Sequence, residues 1–475
     1  MPIPVRVLPA FLLASAACLP SQAPDLRFTP TAQPGRPLPG LLLGPPLLPS
    51  ATLIDDRAGR TQLFGETLWL GLSPALAILD AGPMDPLGSR TLGIATPPNP
   101  SLAGIPLYLQ SFVFDQLAPN GLFRASNGQS AILHATPYAL VSEFRDPVAE
   151  GFTGNFDVTV KGRLQAAPVR VRTKVGVPSG GLPFGQPIIG HLNPNGARAQ
   201  HVYRAVDLGA TGEEELLTEI AYKPLGTIVS ETYTRLVLAV THSHVVPDYR
   251  LDPWSQLPLY PNSGLDPTFA KNYKPLDPTV DVYDGPFQVA PGLVRPDGYL
   301  PYPQFQRPFV YEGSSSIVVE FKSVAWGNLL PQNGAQVHLM VLSSPQPNAR
   351  ALSVGAQFQP LDPFTTLTAK SADNSVLDLK FEFRKVTSTA TSPFLLNPGG
   401  RNYQKPYVAA HQPPGTVIEF EFEGAQTAQG GASSGWMSDI RNCAGYAYLR
   451  YRVRLSANPW TSAVPSIDTI VFPVQ

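Results

Sequence analysis

Three groups of side chains have the residue types and spacing that chemistry would need. His242-Ser243-His244 sets two imidazoles two residues apart, so on a strand both fall on one face, a spacing that metal sites use. The same face carries Leu236, Leu238, Val240 and Val246, which favours the polar end of a core-facing row. A zinc site also wants a third or fourth ligand, and the sequence has no HExxH, CxxC or further close histidine pair. Asp277, Asp281 and Asp284 crowd one loop region that could hold calcium together with backbone carbonyls. The spacing is not that of an EF-hand, and the rival role is as turn aspartates bonding their own backbone. Trp254, Tyr260, Tyr299 and Tyr302 fall in proline-rich connections, where flat rings could lie open and stack on sugars; the competing expectation is that they plug module junctions.

Covalent catalysis has little to stand on. There is no GxSxG elbow and no SxxK, and Gly71-Leu72-Ser73-Pro74-Ala75 fails the elbow at its last position. Cys443 reads as a small core residue. Paired carboxylates for glycoside hydrolysis depend on a separation in space, which keeps a secreted polysaccharide hydrolase, or its accessory subunit, as the alternative to a non-catalytic protein. No cofactor is expected, calcium apart.

The elements that must position these groups are set by composition. Among 475 residues, 34 Lys+Arg nearly balance 35 Asp+Glu, which argues against nucleic acid or an acidic membrane surface as partner. The 54 prolines and 40 glycines rule out long helices over most of the chain. Hydrophobic residues still reach 43% and aromatics 9%, so this is not a disordered spacer. An all-β protein of tandem antiparallel sandwich or jelly-roll modules, with Pro/Gly-rich loops, is the expected fold class.

Arg6, the apolar run Val7 to Ala17 and the triplet Ser21-Gln22-Ala23 have the layout of a secretory signal over residues 1–23. Export, to the medium or the cell surface, follows; the alternative is a lipoprotein anchored at Cys18. With Cys18 removed, Cys443 would be the only cysteine left, so no intrachain disulfide is expected. No later stretch is apolar for long enough to predict a membrane-spanning helix.

Three modules are predicted after the leader, at 24–135, 136–345 and 346–475. The first is punctuated by Pro and Gly between apolar patches at Thr67 to Leu72 and Ile105 to Phe114. In the second, Phe156, Val158 and Val160, and separately Val169, Val171, Thr173 and Val175, suggest buried faces of half-solvated strands. Thr211 to Ile220 is the one stretch that could form a helical turn, or a charged loop. The third has the cleanest period of two. Leu377, Leu379, Phe381 and Phe383 share a face; Ile418, Phe420 and Phe422 oppose Glu419, Glu421 and Glu423; Leu449, Tyr451, Val453 and Leu455 oppose Arg450, Arg452 and Arg454. Neighbouring placement of the last two strands would give a registered salt-bridge ladder, preferred here over an anion-binding face.

Trp436 to Ile440, Tyr446 to Leu455 and Pro465 to Ile470 resemble the closing strands of discoidin-like, galactose-binding-like jelly rolls found in large extracellular bacterial proteins, particularly planctomycete-type ones. Leu265 to Tyr273, Val282 to Gly285 and Arg307 to Gly313 look like a central sandwich of the same proteins. Ser101 to Gln110 with Ser126-Asn127-Gly128 is similar to their small Ig- or fibronectin-like module. The resemblance implies a secreted, all-β, cell-surface protein of unassigned biochemical role. The leading expectation is a non-catalytic structural or adhesive protein that could bind carbohydrate through its second or third module, with polysaccharide or envelope components as partners. A third expectation is an envelope protein that self-associates through sheet edges.

Overall fold

The computed structural model describes residues 23–136, 138–160, 162–175, 182–186, 197–225, 231–245, 265–325, 338–343, 351–355, 362–369, 371–373 and 376–475. Apart from four short 3-10 turns, the regular elements of those residues are strands, paired antiparallel with one exception, Gln129–Leu133 beside Thr31–Ala32. The protein is all-β, built of sandwich modules. Among the described residues no helix is long and apolar enough to cross a membrane.

The compact units are not consecutive stretches. Residues 1–168, 387–458 and 463–475 form the first, and 169–386 with 459–462 the second. The seam expected at 345/346 therefore lies within the second unit. In the first unit the strand Tyr138–Ser142 pairs with Ser466–Val474, and Thr153–Gly154 with Thr387–Thr391. One sandwich is thus made from chain on both sides of a long insertion. The chain leaves and returns at adjacent points, where the Ala167 N–H donates to Ser388 Oγ at 2.9 Å.

Within the first unit the amino-terminal part has a three-stranded sheet, Asp25–Phe28, Leu38–Leu43 and Ser89–Ile94, and a larger sheet centred on Pro106–Phe114 and Pro49–Asp55. Leu26, Leu38, Leu42, Leu92, Leu109 and Val113 fill the space between them. The carboxy-terminal part buries Leu449, Tyr451, Val453 and Leu455 against Ile467, Ile470 and Phe472. Along Tyr448–Ser456 the period of two is realised. Val417–Ala425 lies beside Tyr448–Ser456 with Glu419 opposite Arg454, Glu421 opposite Arg452 and Glu423 opposite Arg450. The last two pairs close at 2.5 Å, and Trp436 lies within cation–π reach of both their arginines. The ladder reading holds for these two pairs.

The second unit has Leu379–Lys385 at the centre of one sheet, between Arg170–Val175 and Glu215–Tyr222, and Glu231–Ser243 paired with Ser316–Ala325 in another. Leu377, Leu379, Phe381 and Phe383 are all fully buried, together with Tyr203, Tyr222 and Phe321. Three local expectations change. Residues 155–160 form turns, with Asp157 accepting from the Thr159 N–H at 3.0 Å, and Val158 is exposed. Along Arg170–Val175 the expected apolar face is not buried: Val171 and Thr173 are exposed and Val175 only half-buried, while Arg172 lies over Phe383 and pairs with buried Glu215. Glu215–Tyr222 is a strand, because the run Leu-Leu-Thr-Glu-Ile-Ala-Tyr is nearly all buried in the sheet.

Candidate functional site

His242 ends the buried row Leu236, Leu238, Val240 of its strand, its ring lying against Phe309 at 4.8 Å and Tyr311 at 6.1 Å. It stands next to Asp277, with Nδ1 3.1 Å from Oδ2. Its Nε2 accepts the Glu312 backbone N–H at 3.3 Å, so Nδ1 carries the proton that Asp277 receives. Burial pulls the imidazole below its ordinary value, against the attraction of Glu312 and Asp277. His244 lies one residue past the strand and is exposed, its Nδ1 2.9 Å from the Tyr273 carbonyl. The two histidines consequently do not act as a pair.

His242, Asp277 and Glu312 are the one group among the described residues whose ligand-type atoms converge, all within 4.8 Å. The cation position between the carboxylates is filled from within the chain. Lys274 Nζ donates to both oxygens of Glu312 at 2.9 Å and lies 3.6 Å from Asp277. The Ser315 hydroxyl and then the Lys274 ammonium hold Glu312 down at about 2. Lys274 is fixed in turn, its N–H donating to the His242 carbonyl at 2.8 Å. A metal would have to displace this lysine, and calcium would want six or more oxygens.

The turn Lys274-Pro275-Leu276-Asp277 has Pro at its second position and Leu276 at φ +70° in its third, where glycine is usual. The Leu276 side chain is fully exposed. It forms part of the lining of a cavity of about 730 Å³ together with His244, Asp266, Lys271, Tyr273 and Asp277. A buried network holds this wall. Glu320 takes both oxygens to Arg198 Nη2, at 3.0 and 3.1 Å, and receives Gln200 at 2.5 Å and the Tyr273 hydroxyl at 2.7 Å. Gln200 also donates to the Phe269 carbonyl, and Asn272 bridges Gln200 to Asp266. Burial pushes Glu320 up, yet Lys322, Arg198 and the hydrogen bonds together leave it below the ordinary carboxylate value.

Of the residues singled out by sequence, Asp277 joins this site. Asp281 and Asp284 sit on Val280–Val289, and Asp284 is held by Arg235 through two hydrogen bonds of 2.8 and 2.7 Å; they do not converge with Asp277 on one point. Tyr302 is a correction. It is 3% exposed and packed against Tyr222, Phe287 and Phe321, so its ring has no face for a sugar. Tyr299 is also buried, its hydroxyl donating to Asp378 at 2.8 Å. Both rings are drawn in because the residues between them, Leu300–Pro301, pair with Ala221–Tyr222 at the sheet, and Tyr302 joins the aromatic core. Trp254 and Tyr260 lie outside the described residues. Glu312 and Lys274 were missed; nothing in their local sequence marks them, since their meeting depends on the fold.

A second cavity, of about 610 Å³, lies in the first unit, lined by Tyr108, His411, Pro413, Ile418 and Phe420 with Asp56 and Arg57. Close to His411, Asp468 and Arg163 form a buried pair at 3.4 Å, with Arg163 stacked on Trp69 at 3.7 Å. Burial raises Asp468 despite that partner.

No family model matches the sequence, and no curated protein does. Among solved structures, Escherichia coli alpha-2-macroglobulin activated by porcine elastase is 9% identical over 85% of this chain and 26% of that one, with a TM-score of 0.17. The native conformation of the E. coli protein is 10% identical over 84% of this chain and 19% of its own, also at 0.17. This chain thus spans about a quarter or less of those chains, and likenesses at this TM-score carry no inference about fold or function.

Proposed function

We propose that this is an exported, non-catalytic β-sandwich protein of the cell surface that binds a neutral carbohydrate at the cavity beside Leu276. The reading rests on one observation: the cavity wall interleaves donors and acceptors, and both of its lysines are already paired, Lys271 with Asp266 at 3.5 Å and Lys274 with Asp277 and Glu312. An anionic ligand would find its counter-charge taken. A polyhydroxy ligand can share the remaining lone pairs and protons, with Leu276 and Pro275 as its apolar contact. The carboxylates are poorly placed for hydrolysis, because a glycosidase needs one of them protonated near neutral pH and Glu312 is held at about 2. The leader-like residues 1–23 support export.

The test is a glycan panel probed with wild type and Lys274→Met, with calcium and with chelator. Selective, saturable binding that ignores chelator and is lost in the variant supports the reading. A blank panel contradicts it, and binding lost only in chelator would return the site to calcium.

A further inference from the structure

One end of the amino-terminal sandwich is built of apolar turn tips. Leu43 is paired with both Asp25 and Ser89, Pro49 with Pro83, Ser50 with Val113, and Phe114 with Phe123. The turns 44–48, 84–88 and 115–122 therefore all emerge at the same end. Each presents large apolar side chains to solvent: Leu47 at 67% exposure, Leu87 at 78%, Leu117 at 78% and Leu122 at 52%. The tip of the hairpin Ala58–Leu63 and Glu66–Leu70 adds Phe64, also largely exposed, whose ring meets Phe123 edge-on at 6.3 Å. Leu47 and Phe64 are held at φ +62° and +51°, a backbone region that such residues enter at a cost. Single exposed leucines are ordinary on a protein surface; a cluster of them on separate turns is not.

The two aspartates of these turns are engaged within it. Asp85 accepts from the N–H groups of Leu87 and Ser89 at 2.9 and 2.7 Å. Asp115 is paired with Arg124 at 2.8 Å and caps the Leu117 N–H. The chain also enters the fold here: Asp25 lies opposite Leu43, and the apolar run Val7 to Ala17 ends a few residues upstream.

We propose that this end of the amino-terminal sandwich rests on a lipid bilayer, with Leu47, Phe64, Leu87 and Leu117 in the interfacial layer. A bilayer suits these observations better than a protein partner does. Several separate protruding tips whose aspartates are already engaged by hydrogen bonds or by Arg124 can enter a fluid apolar layer without a complementary surface, and the described chain begins at the same end. Binding follows from apolar area alone, so it needs no anionic lipid and changes little with salt.

The test uses the full chain carrying Cys18→Ser, in which Cys443 is fully buried, and an environment-sensitive fluorophore on a single new cysteine. Leu87→Cys and Leu117→Cys report the proposed end. Leu72→Cys, exposed in the turn after Glu66–Leu70 beside Asp55, reports the opposite one. With neutral phosphatidylcholine vesicles, the probes at 87 and 117 should shift to the blue and be quenched by bilayer nitroxides, and the probe at 72 should not. Combining Phe64→Ser, Leu87→Ser and Leu117→Ser should lower vesicle partition by about tenfold or more. Equal responses at all three positions, or none, would overturn the proposal. So would shielding of 87 and 117 without vesicles that grows with protein concentration, which would make this end a contact between copies.

Discussion

Acidification should weaken the second unit, and His201 should account for a separable share of the loss. Its side chain is 1% exposed, both ring nitrogens lack a hydrogen-bond partner, and Phe321 lies edge-on at 6.0 Å. Burial alone drives the imidazole from 6.5 down to about 3. The unfolded chain takes up a proton below about pH 6.5 that the folded chain refuses until about pH 3, so the stability is complete above 6.5 and is lost as the pH falls through that window. At about 1.4 kcal/mol for each pH unit, the loss between pH 7 and pH 5 comes to about 2 kcal/mol. His242 in the same unit is also depressed, so the contribution of His201 must be read as a difference. Denaturant unfolding of wild type and His201→Leu at pH 7 and pH 5 supplies it. The variant should lose about 2 kcal/mol less than wild type on acidification and, having no unpartnered nitrogens to bury, should not be less stable at pH 7. Equal pH dependence in the two proteins would refute the reasoning.

Tyr302→Ala removes a ring from the aromatic core, so it should cost about 3 to 5 kcal/mol of stability in thermal or denaturant unfolding, rather than act on ligand binding. Arg198→Met leaves Glu320, 1% exposed, with Lys322 as its remaining charged partner; a loss of about 3 kcal/mol is expected, and Arg198→Met/Glu320→Met should be less damaging than the single change. Glu421→Gln in the partly exposed ladder should cost under about 1 kcal/mol at low salt and still less at 1 M, checked by the same unfolding measurement.

Strand character and much of the packing could be read directly from the chain, because alternation fixes which side of a strand is buried. The Glu419–Glu423 and Arg450–Arg454 rows carried their own pairing, since opposite charges at matching spacing suit only adjacent strands. Alternation says nothing about partners, however, and the union of residues 138–165 with 387–474 across the insertion had no local sign. Val171 misled for a related reason: its apolar type was outweighed by the pairing of Arg172 with Phe383 and Glu215. Of the candidate site, His242 and Asp277 stood out by type. Lys274 and Glu312 did not, because an ion pair 38 residues apart in sequence is set by tertiary structure alone.

The most direct test of the central claim is hydrogen exchange of the full chain with and without a saturating glycan taken from the panel, followed by sizing of the recovered glycan. Slower exchange at residues 242–245 and 266–277, with the glycan returned at its original length, is the expected result. Protection confined to other residues, or a shortened glycan, would contradict it.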